Sequence, residues 1–595
     1  MADRGPLFFP MEVRMTAGKN ASEVSSPPVT IPIDNVAQAY LGLLADRGVK
    51  YFFGNAGTDF APLVDAFARF AAEGRVYPEP ILVPHEFAAV SMAHGFAMVT
   101  GEPQVVMVHV NVGTSNGLTG IINASRAGIP LIFTAGRTPI TEGEMKGGRN
   151  LHIHWAQESF DQASMLREYV KWDYELRNFA QLEKVVDRAL NIAMSEPKGP
   201  VYLSLPREVL AEEHRKFTYT PSGPRLYAKP GPDAEAIRQA AELLRDAENP
   251  LVITSMVGKN PAAVAELVKL CESFAIPVTM AVSNLYLNFP TDHPLHLGFD
   301  PMKYLRNADV ILVIEADVPW FPIRAQPMPH AKVIQIGIDP FFSRYPMRTF
   351  PVDVPVFSDP EAALKSLREA LSVHRSQKRR AVQDRFARLA REHGEQRTVY
   401  KARAEKCKKD SPIDMEWLSH CIGRVREEDT ILINEYDLRT HQVSIHEPGT
   451  FFGSPMSSGL GWCFGAALGV KLARPESVPI VCMGDGTYHF TAPTACHFVS
   501  QNLPVVVVVF NNQCWNAVKG SVIDLYPQGW AVKKDHFVLC DLEPSPAYEK
   551  IVESFGGYGE RVEDPSKILP ALKRAVKAVR KEKRQALLNV ICKHP

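Results

Sequence analysis

The chain of 595 residues is too long for one hydrophobic core, and its 46% hydrophobic and 22% charged content is that of a globular protein with several domains. Lys+Arg and Asp+Glu balance at 66 each, so no net basic charge draws nucleic acid or an anionic membrane, and no apolar stretch approaches the roughly 20 residues that span a bilayer. The 9 cysteines include no C-x-x-C pair, which argues against a zinc site or a disulfide framework and for reduced thiols in a cytoplasmic setting.

In chain order, residues 1–30 lack a charged segment followed by an apolar one, so no secretory signal is expected, only a flexible tail. Residues 31–215 alternate short apolar runs (81–83, 105–109 and 131–134) with amphipathic stretches. Residues 212–233 hold Pro221, Pro224, Pro230 and Pro232 and few aliphatics, which predicts a linker. Residues 230–372 repeat the alternation at 251–254, 310–314 and 332–336. Residues 373–410 are basic and polar, a second linker built on a solvated helix, and residues 411–595 form the last block. Strand–helix alternation in each block predicts an α/β protein of three doubly wound parallel-sheet domains.

The most informative motif lies in the last block. Gly484-Asp485-Gly486 ends the apolar run 478–483, and Asn511-Asn512 ends a second run, 503–510, with a helix expected over 491–502 between them. In such a βαβ unit both strand ends lie on one edge of the sheet, where ligands bind. That places Asp485 beside Asn512, and a carboxylate with an amide oxygen suits Mg2+, which usually also binds phosphates. Gly486 lets backbone N–H groups approach those phosphates.

This pattern, with residues 487 to 510 between its halves, resembles the thiamine diphosphate motif of the decarboxylase and acetolactate synthase superfamily. The resemblance extends through Phe53-Gly54-Asn55-Ala56-Gly57-Thr58, His85-Glu86, Ala93-His94-Gly95-Phe96-Ala97, the segment 199–206 and Gly459-Leu460-Gly461. It implies a pyrimidine-binding domain (31–215), a central domain (230–372) and a diphosphate- and Mg2+-binding domain (411–595). It makes Glu86 the residue that hydrogen-bonds the cofactor's pyrimidine nitrogen and promotes loss of the thiazolium C2 proton. Leu460 would wedge the two cofactor rings together, the Ser458 carbonyl would meet the aminopyrimidine, and Gly484, Asp485, Gly486, Thr487 and Asn512 would hold the diphosphate end. Asp485, Asn512 and the backbone oxygen of Cys514 would hold the metal. Asp437 and Leu438 stand where the family often places small hydroxyl residues, and an aspartate beside a diphosphate would repel it. Gly465 and Gly469 are better explained by close helix packing than by a dinucleotide fingerprint.

On the substrate side the pattern is most similar to benzoylformate decarboxylase. His109 falls where that enzyme has an active-site histidine, Thr58 where it has a serine near the substrate carboxylate, and His293 in a region like that of its second histidine. Acetolactate synthases are resembled at Ala156-Gln157-Glu158 and His441-Gln442. Residues 520–543 are long and aromatic-bearing, a lid or a surface segment. The expected activity is therefore thiamine diphosphate- and Mg2+-dependent decarboxylation of a 2-oxo acid, with carboligation as an added outcome. The alternatives are an acetolactate synthase-type carboligase and a cofactor-binding but inactive regulatory subunit. A homodimer or homotetramer with active sites at the subunit interface is implied. Residues 235–370 show no decisive phosphate loop, so a flavoprotein is not expected.

Overall fold

The computed structural model describes residues 27–221, 227–281, 284–372 and 379–594. Most of the expected tail and parts of both linkers, including Pro224, lie outside these ranges. The described residues form three parallel sheets of six, five and six strands, as the alternation predicts. In the first, the spatial order is Glu79–Leu82, Tyr51–Gly54, Val105–Val108, Ile132–Arg137, Val201–Pro206, Asp173–Glu175. The middle sheet runs Val278–Met280, Pro250–Thr254, Val310–Ile314, Lys332–Gly337, Val354–Phe357. The last runs Phe451–Phe452, Thr430–Glu435, Val478–Gly484, Val506–Asn511, Ala586–Ile591, Tyr558–Val562. Its central strands are buried almost along their whole length, which is why they appear in the sequence as apolar runs.

Two expectations need correction. Val29–Pro32, partly assigned to the tail, pairs antiparallel with Lys216–Tyr219, which the proline-rich stretch had marked as linker. Thr30 meets Thr218 there by a 2.8 Å hydroxyl contact, so a short two-stranded ribbon closes the first domain. The strand in the apolar run 105–109 is Val105–Val108, with His109 at its end, and Val110 takes a left-handed φ of 32° and begins the helix Val110–Arg126. The helix expected over 491–502 is present as Pro493–Ser500, and a second, unexpected helix, Asp485–Phe490, precedes it. Ala492 between them has φ 53°, and Pro493 lacks the N–H that would continue the first.

The first and last domains meet along the helices Glu86–Thr100 and Trp462–Ala473. Here the glycines permit backbone-to-backbone approach. A Cβ on Gly95 would stand 2.1 Å from the Ala466 carbonyl oxygen, and one on Gly469 would stand 1.9 Å from that of Met92. Gly465 faces Ser91 in the same way, at 2.6 Å. The second linker contains a 29-residue helix, Arg379–Cys407, largely solvated. Arg397 ties it to the last domain through the His441 carbonyl (3.0 Å) and Ser444 Oγ (2.7 Å). No described helix is long and apolar enough to cross a membrane.

Candidate active site

In the last domain three neighbouring strands end together. Glu435 pairs with Met483, and Gly484 with Phe510, so residues 436–437, 485–486 and 511–512 leave the sheet side by side. The chain moves from Thr430–Glu435 to Phe451–Phe452 on one side and then to Val478–Gly484 on the other. Such a reversal of strand order opens a crevice at the carboxyl edge of the sheet, the usual ligand position in open α/β folds.

Asp485 lies in that crevice at the start of its helix, 1% exposed, and its Oδ2 has no hydrogen-bond partner. Burial pushes its carboxyl up to about 6, against the backbone N–H groups of Gly486, Gln513 and Asn512 that favour the charged form. A buried polar oxygen left unpaired costs about 1–3 kcal/mol, and a cation at this point would remove that cost. Asn512 is also buried, and its Oδ1 accepts the Cys514 N–H at 3.1 Å, leaving a second lone pair on that oxygen. Burial pushes the Cys514 thiol up to about 11, so the sulfur stays protonated at neutral pH and its backbone carbonyl is the better donor. An all-oxygen donor set of carboxylate, amide and carbonyl fits a hard divalent cation such as Mg2+. Thr487 is buried one turn into the helix. Gly486 packs under Trp515, where a Cβ would meet the indole ring at 2.4 Å.

Asp437 is in the crevice too. A Cβ on Gly484 would lie 2.8 Å from its Oδ2, and burial, with Asp485 and Glu435 adding to it, pushes its carboxyl up to about 7. Asp437 therefore faces the crevice with other carboxylates, and near neutral pH part of the repulsion among them is relieved by a proton. Glu435, which the sequence did not single out, is 1% exposed and accepts the N–H groups of Gly461 (2.8 Å) and Cys463 (2.9 Å), capping the helix Trp462–Ala473. From the first domain, Asn123 Nδ2 donates to the Gly459 carbonyl at 2.9 Å while its Oδ1 accepts the Gly459 N–H at 3.0 Å. Leu460 sits between these two clamps and is itself only half-buried, unlike a core leucine. Ser458, exposed and at φ 56°, shows the strain of this loop.

The first domain carries the other group of residues. Glu86 is the first residue of its helix, where the helix dipole favours a carboxylate. Its Oε1 accepts Asn55 Nδ2 at 2.9 Å, and its Oε2 accepts Asn116 Nδ2. Asn55 lies inside the motif at 53–58, but Asn116 sits in no motif, and only the fold brings it to Glu86. Thr58 is exposed at the start of a short 3-10 turn, next to Asp59, whose carboxylate meets His109 at 2.7 Å. His293 belongs to the central domain. Its Nε2 faces Glu272 at 3.3 Å and its Nδ1 accepts the Leu295 N–H at 3.1 Å, which leaves both ring nitrogens occupied locally.

Models of three domains match this chain: the thiamine pyrophosphate enzyme N-terminal TPP binding domain at residues 34–165, its central domain at 237–367 and its C-terminal TPP binding domain at 435–590. The acetolactate synthase isozyme 3 large subunit of Escherichia coli is 25% identical over 563 residues, spanning 91% of this chain and 92% of that protein. Benzoylformate decarboxylase of Pseudomonas aeruginosa is 25% identical over 503 residues, spanning 81% and 87%. Sulfoacetaldehyde acetyltransferase of Alcaligenes xylosoxydans xylosoxydans is 27% identical over 599 residues, spanning 93% and 92%. The crystal structure of benzoylformate decarboxylase from Polynucleobacter necessarius shares the fold, with a TM-score of 0.76 at 20% identity over 95% of this chain and 99% of that one.

Proposed function

Because the chain belongs to the thiamine pyrophosphate enzyme family, which includes decarboxylases and acetolactate synthases, we propose that it is a Mg2+-dependent 2-oxo acid decarboxylase of the benzoylformate decarboxylase type, able also to ligate the decarboxylated fragment to a second carbonyl compound. The observation that carries the cofactor assignment is the buried, unpartnered Oδ2 of Asp485 beside Asn512 at the crevice. When bound, thiamine diphosphate supplies a carbon nucleophile that adds to a ketone and an electron sink for the pair released with CO2.

The residues then take these roles. Asp485, Asn512 and the Cys514 carbonyl hold the metal. The N–H groups around Gly484 and Gly486, with the Thr487 hydroxyl, hold the diphosphate. Leu460 and the Ser458 carbonyl would hold the cofactor between its rings and at its aminopyrimidine, and Glu86, its carboxylate fixed by Asn55 and Asn116, would hydrogen-bond the pyrimidine nitrogen. The Thr58 hydroxyl binds the substrate carboxylate, and His109 exchanges a proton through Nε2. His293 has no part in this proposal.

The acetolactate synthase-type reading draws on the relatives bearing that name and on Gln157, which faces His109. The two differ in product: incubation with pyruvate gives acetaldehyde in one case and acetolactate in the other. The paired site calls for at least a homodimer. Supporting this, Phe160 and Trp155 of the first domain and Tyr526, Trp530 and Leu539 of the last are exposed. The deciding experiment is a screen of aromatic and aliphatic 2-oxo acids for CO2 release with Mg2+ and thiamine diphosphate, repeated with Glu86→Gln. Turnover that falls by orders of magnitude in that variant supports the proposal. Equal turnover refutes it, and no turnover in either favours an inactive subunit.

A further inference from the structure

The first sheet has its own crevice. The chain moves from Tyr51–Gly54 to Glu79–Leu82 on one side and then to Val105–Val108 on the other. Asp59 follows the first of these strands and His109 the last, so the reversal brings them together. Asp59 is 3% exposed, and its Oδ1 accepts His109 Nδ1–H at 2.7 Å while its Oδ2 accepts the Val110 N–H at 3.3 Å. Neither group has room to turn away. A Cβ on Gly57 would fall 2.1 Å from His109 Nδ1, and one on Gly136 would fall 1.8 Å from Asp59 Oδ2. Val110 pays for its N–H contact with a φ of 32°, a strained value for a β-branched residue that costs on the order of 1–3 kcal/mol. A histidine that merely ended a strand would need none of these constraints.

We propose that Asp59 is a positioning residue that holds the His109 imidazole with Nδ1–H inward, presents Nε2 to the substrate and keeps the ring cationic until Nε2 gives up its proton. The inference rests on the reading that this site acts on 2-oxo acids. In the proposed step the imidazolium pairs with the substrate carboxylate. After CO2 leaves, the Nε2 proton passes to the substrate-derived carbon, the ring is left neutral with its proton on Nδ1, and solvent returns one proton to Nε2. Asp59 accepts Nδ1–H throughout. The other charged groups facing the pair are Glu86, which also favours the cation, His154, which His109 itself disfavours as a cation, and Arg207, which faces the Asp59 carboxylate. The hydrogen bond to Asp59 is the largest influence on His109 and raises its pKa.

The test is made on the Mg2+- and thiamine diphosphate-loaded enzyme, comparing wild type with Asp59→Asn. Since the cation is the active form, activity is lost as pH rises through the His109 pKa. Removing the Asp59 charge should move that alkaline limb about one pH unit lower and cut kcat several-fold at pH 8, with cofactor affinity unchanged by calorimetry. An unmoved limb overturns the proposal. Histidine C2 hydrogen–deuterium exchange, read by mass spectrometry across pH, measures His109 without substrate. Titration above the ordinary value of about 6.5 in wild type, falling in Asp59→Asn, supports the dyad, and titration at or below it in wild type overturns the dyad even if the variant does not fold. If the exchange result holds but no 2-oxo acid is turned over, the dyad stands and the substrate reading fails.

Discussion

Asp437 offers a quantitative test of the crevice in the last domain. Its carboxyl is raised from an ordinary 3.8 to about 7, chiefly by burial. Between those two values the unfolded chain ionises Asp437 and the folded one does not, so stability falls by about 1.36 kcal/mol per pH unit and then levels off. The full difference is about 4 kcal/mol. Asp437 keeps some contact with solvent, which screens its charge, so we expect about half of that, ~2 kcal/mol. Asp437→Asn keeps the shape and removes the titration. In metal-free, cofactor-free protein the variant should therefore melt a few degrees higher than wild type at pH 8, with the gap shrinking steadily toward pH 5. The variant should also bind Mg2+ and thiamine diphosphate more tightly, because one like charge has left the face of Gly484 proposed above to receive the diphosphate. Thermal unfolding at several pH values and calorimetric titration of the cofactor at pH 8 check both parts. A stability gap that does not vary with pH would refute the burial argument. Weaker cofactor binding would show instead that Asp437 is a ligand of the metal.

Asp485→Ala should abolish Mg2+-dependent cofactor uptake in calorimetry while raising the melting temperature of the metal-free protein, since a buried carboxyl whose Oδ2 is unpaired, and whose pKa burial raises, is removed. Gly469→Ala should lower the melting temperature, with an overpacking cost of about 1–3 kcal/mol offset by less than 1 kcal/mol of helix propensity, because its Cβ would meet backbone on the facing helix, the Met92 carbonyl oxygen at 1.9 Å and the Phe96 N at 2.7 Å. His94 and His296 are buried and pushed down to about 3 by burial. Below about 6.5 the unfolded chain binds protons that the folded one refuses, so each costs up to about 1.4 kcal/mol per pH unit as pH falls toward 3. His94→Phe should flatten the acid limb of the stability profile measured by thermal unfolding.

The sequence made the parallel-sheet architecture legible because strands covered on both faces cannot alternate polar with apolar residues, and the valines at 505–509 show the result directly. It also made the neighbourhood of Asp485 and Asn512 legible, since one βαβ unit fixes where both strand tips fall. The boundary at Ala492 was hidden because a left-handed alanine leaves no compositional mark, whereas a glycine would have. The ribbon between Val29–Pro32 and Lys216–Tyr219 was hidden because its partners are far apart in sequence and flanked by prolines. Asn116, Asn123 and Glu435 were missed for the same reason. Each is an ordinary polar residue whose role comes from a contact made across elements, to Glu86, Gly459 and the Gly461 and Cys463 amides.

The topology gives these contacts a common cause. In both outer sheets the second strand of the domain's sequence lies beside the first on one side, the third crosses to the other, and the helix entered after the second strand packs on its counterpart in the other domain. Tyr51–Gly54 and Val105–Val108 thus correspond to Thr430–Glu435 and Val478–Gly484. Asp59 and His109 follow the first pair, and Asp437 and Asp485 follow the second. The two crevices are equivalent in fold and opposite in chemistry. One brings two carboxylates together and raises their pKa values, a site that gains by taking up a cation. The other joins a carboxylate to an imidazole and shifts the balance toward the imidazolium, which suits the anionic substrate proposed above. That complementarity predicts separable losses. Asp485→Ala should remove cofactor uptake without moving the His109 exchange titration. Asp59→Asn should move that titration without weakening cofactor uptake. If either substitution produced both effects, the crevices would be one coupled unit and the division of labour argued from their topology would fail.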